Sequence, residues 1–273
     1  NFSLGNAIIV GRGPSVYRVR HMELLAEYQK NGKYYGIVIA ADGAFKECLE
    51  RGVNVDYTLS LDGSRELIKK WYEGDIVKEK GKNTKVILAT PVAPNVPETL
   101  EKQGLDYYWV MPIYDDYRTL ESFTTLHTLI TKTEKHPQGI ASMSLGGNSG
   151  TACWIIAHAL LRRGNIALIG IDLGYPADMP LNETIYYERM LKQNGGNAVA
   201  LQNVYKTIHN PGFNIDAIID PVFEYYRMGF LSLMKETPDW VNTTQCSKGT
   251  LFFEDKPNYG CLDFKEWLDK NGV

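Results

Sequence analysis

The chain has 273 residues, of which 44% are apolar and 22% are charged, and its formal net charge is -3. This length suits one large domain, or a domain with a C-terminal extension, and it can bury a core without disulfide bonds or bound metal. The nearly balanced charge excludes a general attraction to nucleic acid or anionic lipid, and no run reaches the about 18 apolar residues of a membrane span.

The cysteines are Cys48, Cys153, Cys246 and Cys261. They form no C-x-x-C pair, and no histidine lies at zinc-ligand spacing from them. We therefore expect buried free thiols in a reducing, cytoplasmic compartment. No signal peptide is visible. Because the sequence begins at Asn1 rather than at Met, we expect it to be part of a longer protein.

Short apolar runs alternate with amphipathic segments through the first two thirds of the chain. Predicted strands, in chain order, are 6–10, 36–41, 57–61, 85–89, 107–111 and 165–171. Helical spacing predicts helices between most of them, and the helix from Thr151 to Leu161 is apolar nearly all round, so it should be buried. This alternation predicts an α/β fold with a doubly wound, mostly parallel, Rossmann-like sheet.

The alternation stops after Asp172. Residues 174–220 are rich in Asn, Tyr and Gly, and we expect a long loop or lid with some helix around 184–192. A final amphipathic helix is predicted over 221–236, with proline at its first position. Short strands and a terminal helix are expected in the tail. We therefore divide the chain into a nucleotide-binding core, 1–176, and a lid and C-terminal extension, 177–273, that packs on the core.

Polar residues follow four of the predicted strands. They are Gly11–Ser15, Asp42-Gly43, Asp62-Gly63 and Asp172. In a parallel sheet the carboxyl ends of the strands meet at one edge, and ligands of open α/β sheets bind there. We therefore expect these residues to form a ligand site.

The glycine loop after the first strand contains Gly11, Gly13, Pro14 and Ser15. Glycines allow a phosphate to approach the backbone, and N–H groups at a helix N-terminus favour an anion. The third glycine of a dinucleotide-binding loop is replaced by Val16, and the lysine of a P-loop is missing, so neither a dehydrogenase nor a P-loop NTPase is predicted. A phosphate cradle and an ordinary strand-to-helix turn both remain open.

The acids after the strands can serve several roles. Asp42 and Asp62 each precede a glycine, and their carboxylates could hold Mg²⁺ beside phosphates, accept hydrogen bonds from ribose hydroxyls or act as a base. Each alone is also typical of a helix N-cap. Three acids at three strand ends favour a site.

A second polar segment opens the apolar helix. Gly147, Asn148, Ser149 and Thr151 place small and hydrogen-bonding residues at the start of that helix, which favours a cradle for an anion or sugar over a plain N-cap. Elsewhere, His209 in the expected lid is the one histidine with a candidate catalytic role.

The motifs, taken together, resemble the 6-hydroxymethylpterin diphosphokinase-like family. The residues that carry the resemblance, in order, are Gly11-Arg12-Gly13-Pro14-Ser15, Ala40-Ala41-Asp42-Gly43-Ala44, Gly52–Tyr57 with Ser60-Leu61-Asp62, Gly147–Ala152 and Leu168–Tyr175. The resemblance implies a transferase of one of two kinds. Archaeal members transfer pyrophosphate from ATP to a pterin alcohol with Mg²⁺. Bacterial motility accessory factors resemble sialyltransferases and pass a nonulosonic acid from a CMP-sugar to flagellin Ser or Thr.

The C-terminal region resembles the accessory factors through Phe223–Arg227, Val241–Gln245 and Leu262–Phe264, although Gln245–Gly249 departs from the Glu-Gly-Gly-like end of that motif. The resemblance therefore favours glycosyl transfer without a cofactor. The alternatives are a pterin pyrophosphokinase, in which Asp42 and Asp62 would hold Mg²⁺, and a non-catalytic nucleotide- or sugar-binding domain.

In the glycosyl-transfer interpretation each group of residues has a role. The nucleotide and its phosphate would be bound by Gly11, Gly13, Pro14, Ser15, Asp42, Gly43 and Asp62. The transferred group or the acceptor would be bound by Gly147, Asn148, Ser149, Thr151 and Tyr175. Asp172 and His209 are the candidates for the general base. The partners would be a nucleotide or nucleotide-sugar donor and a small-molecule or protein Ser/Thr acceptor. No nucleic acid is expected, and a homo-oligomer is left open.

Overall fold

The structure is a computed structural model that describes residues 4–119, 121–134, 136–253 and 257–272. The strands are β1 (Asn6–Val10), β2 (Ile37–Ala41), β3 (Tyr57–Ser60), β4 (Lys85–Ala89), β5 (Tyr107–Pro112), β6 (Ser142–Met143), β7 (Asn165–Ile169), β8 (Tyr175–Pro176), β9 (Lys206–Asn210), β10 (Ile215–Ile219), β11 (Asn242–Gln245) and β12 (Tyr259–Cys261).

The α-helices are α1 (Ser15–Arg18), α2 (His21–Lys30), α3 (Asp42–Glu50), α4 (Arg65–Tyr72), α5 (Asp75–Lys80), α6 (Asn95–Gln103), α7 (Phe123–Ile130), α8 (Ser149–Ile155), α9 (Tyr187–Gln193), α10 (Ala198–Gln202), α11 (Pro221–Glu236) and α12 (Phe264–Asn271). Helix α8 continues as a π-helix over Ile156–Leu160, and a 3-10 turn covers Leu181–Glu183.

The first of two compact units comprises Asn1–Gly36 and Arg162–Val273. Its parallel strands lie side by side in the order β12, β11, β7 and β1. Residues 7–10 of β1 and 166–169 of β7 are fully buried and apolar throughout. This is typical of parallel strands that are covered on both faces. A small antiparallel sheet, β8-β10-β9, belongs to the same unit.

The second unit, Ile37–Leu161, contains parallel strands in the order β2, β3, β4, β5 and β6. Helix α8 lies against β2 and β3 and is buried from Gly150 to Ile155, as its uniformly apolar sequence predicted. The boundary predicted at residue 176 lies inside the first unit, and the predicted division into core and lid stays a prediction.

The fold class predicted from the sequence, α/β with a doubly wound and mostly parallel sheet, is confirmed. The helix predicted over 221–236 is α11, where Pro221 is the first residue and the Asp220 carboxylate accepts hydrogen bonds from the N–H groups of Val222 and Phe223. No helix in the described ranges is both long and apolar enough to cross a membrane.

Two segments differ from the sequence prediction. Residues 174–220 contain the helix expected around 184–192, which is α9, but they are not otherwise one long loop, because they also contain β8, α10 and the β9–β10 hairpin. Only Ala217 and Ile219 of β10 are buried, so the apolar signal of that strand is short. Helix α7 was not predicted, because its apolar residues do not mark a buried face. Its buried residue is Thr124, and its large apolar side chains are exposed.

Candidate functional site

The carboxyl ends of β2 and β3 in the second unit meet around the carboxylate of Asp42. Its Oδ1 accepts a hydrogen bond from the N–H of Gly43 (2.8 Å), and its Oδ2 accepts one from the hydroxyl of Ser60 (2.9 Å). The side chain of Ser149, at the start of α8, also donates to this carboxylate. Asp42 is only 5% exposed. Three separate elements therefore converge on one buried acid.

Burial raises the pKa of Asp42 to about 6, because desolvation disfavours the charged carboxylate. The hydrogen bonds from Gly43, Ser60 and Ser149 lower the pKa, and the nearby charge of Asp62 raises it. A carboxyl group that titrates this close to neutrality, beside polar groups at strand ends, is typical of functional sites. The N-cap alternative does not describe Asp42, which is the first residue of α3, with Ala41 as N-cap.

Asp62 is the exposed partner of Asp42 at this edge. Its Oδ1 accepts a hydrogen bond from the N–H of Ser64 (2.8 Å), which holds the turn after β3. Because Asp62 is exposed, its carboxylate could also accept a hydrogen bond from a ligand donor such as a ribose hydroxyl. The two acids predicted from the sequence thus lie in contrasting environments, one buried and one in solvent.

The start of α8 supplies the remaining polar groups. The Asn148 Oδ1 accepts from the N–H of Thr151 (2.9 Å) and its Nδ2 donates to the Thr151 hydroxyl (2.8 Å), so Asn148 is the N-cap and Thr151 is fully buried beneath it. Ser149 is half-buried and Gly147 is exposed with φ of 79°. The groups that can meet a ligand here are therefore Gly147, Asn148 and Ser149, rather than Thr151.

Ser60 is the residue of this cluster to which the sequence analysis gave no role, although it lies in one of the motifs that carry the family resemblance. It ends β3 and is fully buried, and its hydroxyl binds a carboxylate that lies 18 positions earlier in the chain. A serine at the carboxyl end of an apolar strand, two residues before Asp62, is the signal that could have identified it.

In the first unit, the glycine loop binds an acid of the protein itself. Ser15 donates its N–H to Asp172 Oδ2 (2.7 Å) and its hydroxyl to Asp172 Oδ1 (2.5 Å). The N–H groups of Gly11 and Gly13 donate to the carbonyl oxygens of Ile169 (2.8 Å) and Gly170 (2.7 Å). A ligand phosphate would have to displace Asp172 to reach Ser15, and phosphate binding by this loop stays a prediction.

The glycines of this loop allow close packing against β7 and the residues after it. A Cβ on Gly13 would lie 2.5 Å from the carboxyl carbon of Asp172, and one on Gly11 would lie 2.3 Å from the carbonyl oxygen of Gly170. Both positions require glycine whether or not a ligand binds.

We expect Gly13→Ala to lower the free energy of unfolding by roughly 1–3 kcal/mol, because the methyl group forces the loop away from Asp172. Urea denaturation monitored by circular dichroism measures the change. Gly260→Ala is a control for the loss of a glycine, since Gly260 has open space around its Cβ position and does not have a left-handed backbone. We expect it to change stability by less than about 0.5 kcal/mol. Equal stability of the Gly13→Ala variant and the parent would contradict the packing role.

The C-terminal segment surrounds Asp172 from the other side. The Ser247 side chain donates to the Asp172 carboxylate, and the N–H of Thr250 donates to the Asp172 carbonyl (2.8 Å). A Cβ on Gly249 would lie 2.2 Å from that carbonyl oxygen. Asp172 is only 2% exposed, and burial raises its pKa. The segment that departs from the accessory-factor motif therefore packs directly on a predicted catalytic residue.

Tyr175 and His209 have different surroundings. The Tyr175 hydroxyl donates to Asp220 Oδ2 (2.8 Å) and its ring packs on Phe223, so the buried tyrosine joins β8 to the start of α11. His209 Nδ1 lies 2.8 Å from Asp216 Oδ1 across the β9–β10 hairpin, and both side chains are more than half exposed. Their predicted ligand and catalytic roles stay predictions.

Among the described residues, no group of three or more His, Cys, Asp or Glu side chains could hold a metal ion. The predicted Mg²⁺ pair, Asp42 and Asp62, consists of two carboxylates, and one of them already accepts three hydrogen bonds. Metal dependence stays a prediction of the pyrophosphokinase alternative alone.

Fold and site together define a Rossmann-like α/β protein with an acidic, hydroxyl-rich site at the carboxyl ends of two parallel strands. Residues 1–178 match the model of a family described as 6-hydroxymethylpterin diphosphokinase MptE-like, and the chain belongs to that family, which confirms the resemblance seen in the sequence. No curated protein matches the sequence at a significant level. Membership in this family supports the predicted enzyme class, a transferase.

A solved structure of a MAf glycosyltransferase from Magnetospirillum magneticum AMB-1 is similar in fold, with a TM-score of 0.62 and 16% sequence identity. The match covers 95% of this chain and 33% of that one, so the chain spans about one third of the length of that glycosyltransferase. At this identity the similarity establishes the fold alone.

Proposed function

We propose that this chain is a nucleotide-dependent transferase that moves a nonulosonic acid from a CMP-sugar to an acceptor hydroxyl, with its donor site at the carboxyl ends of β2 and β3. The observation that carries the proposal is the buried Asp42 carboxylate, which accepts hydrogen bonds from Ser60 and Ser149 while Asp62 and Asn148 remain accessible around it. Strand ends of parallel α/β sheets are where such ligands bind.

In this proposal Asp42 orients the hydroxyl groups of Ser60 and Ser149 and does not contact the ligand itself. Because the Ser149 hydroxyl donates a hydrogen bond to Asp42, its oxygen keeps lone pairs that could accept from a ribose hydroxyl or a base amino group. Asp62 offers an exposed carboxylate for the same kind of donor. Asn148 and the N–H groups near Gly147 would bind the transferred sugar.

One comparison favours a CMP-sugar over ATP, and the two reactions also differ in their need for a metal ion. Departure of CMP leaves a single phosphate, whereas pyrophosphate transfer requires Mg²⁺ to neutralise the β- and γ-phosphates. The similarity to the MAf glycosyltransferase extends over 95% of the chain, while the family model ends at residue 178. The fold shared with a glycosyltransferase therefore includes most of the C-terminal region that the family model leaves uncovered.

The second candidate is a Mg²⁺-ATP-dependent pterin pyrophosphokinase, which the description of the family model favours. In that case Asp42 and Asp62 would hold the metal, and Asp42 would have to exchange its hydrogen bonds from Ser60 and Ser149 for a metal bond. The donor set is carboxylate and hydroxyl oxygen, which suits Mg²⁺.

Transfer to a hydroxyl group requires a base for the acceptor proton. Asp172 and His209 remain the proposed candidates, and the hydrogen bond between His209 and Asp216 would orient the imidazole for that role. The acceptor, a small molecule or a protein Ser or Thr, and the cytoplasmic location also remain proposals.

Isothermal titration calorimetry with CMP and with ATP, each in Mg²⁺ and in EDTA, separates these candidates. We expect CMP to bind equally with and without Mg²⁺ and ATP not to bind. ATP binding that requires Mg²⁺, without CMP binding, would contradict the proposal and support the pyrophosphokinase. Metal-independent CMP binding without release of CMP from a CMP-sugar, in the presence of any acceptor tested, would favour the non-catalytic binding domain.

A further inference from the structure

Helix α7 in the second unit is oriented with its apolar side away from its own core. Its buried residue is Thr124, while Phe123, Leu126, Leu129 and Ile130 are 54–70% exposed. An amphipathic helix of a monomer normally has the opposite arrangement. We define the apolar face as these four residues together with Tyr114 and Tyr117, which precede the helix and are also more than half exposed.

The apolar face is one continuous surface. The ring of Tyr114 contacts the ring of Phe123 at a centroid distance of 6.0 Å. Tyr117 and Leu129 line a common cleft of about 390 Å³, together with Ile113 and with threonine and serine side chains. An open apolar cleft inside an apolar face can receive a side chain of a partner.

The neighbouring edge of the sheet is open as well. Within the described residues, strand β6 pairs with Met111 and Pro112 of β5 alone, and the Met111 N–H donates to the Ala141 carbonyl on that side. Backbone groups alternate in direction along a strand, so the N–H and C=O of Trp109 point to the same edge of β5 as those of Met111. Strand β6 is too short to reach Trp109 at this edge. The exposed Tyr108 and Trp109 side chains lie along this stretch. Exposed, uncharged strand edges are sites at which another chain pairs.

We propose that a second copy of this chain covers the apolar face and the open edge of β5, so that the protein is a two-fold symmetric dimer. This inference does not depend on the proposed transferase activity. Symmetric self-association requires one surface that tolerates its own copy. Residues 123–130 contain no Asp, Glu, Lys or Arg, so two such helices meet without repulsion between like charges, and the exposed Asp116 beside Tyr117 is paired with Arg118 (2.8 Å).

The area is sufficient for a stable dimer. At about 200 Å² per large side chain, the exposed fractions of the apolar face amount to roughly 700 Å², and Tyr108 and Trp109 add roughly 200 Å². A standard stable interface buries about 800 Å² on each partner. The available apolar surface thus matches what one half of a dimer interface needs.

Sedimentation velocity of the 273-residue chain at micromolar concentrations tests the proposal. We expect twice the mass of one 30.8 kDa chain, and we expect Leu126→Glu and Ile130→Glu each to raise the dimer dissociation constant by about 100-fold. Both side chains are solvent-exposed in the single chain, so unchanged circular dichroism and melting temperature would show that the variants fold. Val199→Glu, at an equally exposed apolar residue on α10, is the control and should remain dimeric.

Hydrogen exchange provides a second readout, because the amide of Trp109 should be protected in the parent protein and exposed in Leu126→Glu. A parent protein that is monomeric at tens of micromolar, whatever else binds the face, would overturn the proposal. Dimers that persist unchanged in both glutamate variants would overturn it too.

Discussion

Asp42→Asn should raise the free energy of unfolding at pH 8 by as much as ~3 kcal/mol and weaken CMP binding about 10-fold. The pKa of Asp42 is raised from 3.8 to about 6 in the folded protein, so ionisation of this acid opposes folding. Below about pH 4 Asp42 is neutral in both the folded and the unfolded state, and the free energy of unfolding carries no penalty from this group. The free energy of unfolding falls as the pH rises from about 4 to about 6, and it stays at the lower value above pH 6. Asparagine removes this cost.

The loss of binding has a separate cause. The asparagine amide offers one acceptor oxygen where the carboxylate had two, so it cannot hold the hydroxyls of Ser60 and Ser149 in the same directions. Gain of stability together with loss of binding is typical of residues kept for function.

Urea denaturation between pH 4 and pH 8, together with calorimetry of CMP binding, measures both effects. Asp62→Asn should weaken CMP binding and leave stability unchanged, because its carboxylate is exposed. Asp75→Asn, at an exposed acid of α5, should change neither. If Asp42→Asn were less stable than the parent at pH 8, or bound CMP with unchanged affinity, the role given to Asp42 would be wrong.

Asp172→Ala should lower the free energy of unfolding by about 3 kcal/mol, since it leaves a cavity and removes the acceptors of two buried donors of Ser15. The Ser247 side chain loses an acceptor as well. The change therefore loosens the glycine loop and the C-terminal segment together, because both donate hydrogen bonds to this one carboxylate.

Asp172→Asn is the matched variant, because it keeps the shape and one acceptor oxygen, and the hydroxyl of Ser15 can accept from the new amide. We expect its free energy of unfolding to lie within about 1 kcal/mol of the parent, because the amide removes the cost of ionising a buried acid but also weakens the hydrogen bonds from Ser15 and Ser247. If Asp172 is also the general base, this variant should fold and lose activity by 10²-fold or more. An Asp172→Ala variant as stable as the parent would contradict the structural role.

Much of the sheet could be predicted from the sequence because its strands are covered on both faces. Continuous apolar runs such as residues 7–10 and 166–169 have no other stable location than a buried parallel sheet. Elements with one exposed face were harder to predict. The apolar residues of helix α7 are exposed, and the β9–β10 hairpin buries few side chains. Neither element therefore shows the periodic pattern of buried apolar residues by which helices and strands are predicted.

The site was predicted in part. Strand ends identified Asp42, Asp62 and Asp172, but their partners depend on contacts between distant positions. Ser15 binds an acid 157 positions away, and no local pattern indicates that contact. The sequence likewise cannot show that Asp42 is buried while Asp62 is exposed. In our proposal, this contrast makes Asp42 the residue that orients the site and Asp62 the residue that meets the ligand.

A crystal structure of the chain with CMP tests the central claim most directly. The account predicts nucleotide density at the carboxyl ends of β2 and β3, with a ribose or base group within hydrogen-bond distance of the Asp62 carboxylate and the Ser149 hydroxyl, and with Asp42 still bound to Ser60. CMP bound elsewhere on the chain, with Asp62 and Ser149 in contact with solvent alone, would contradict it.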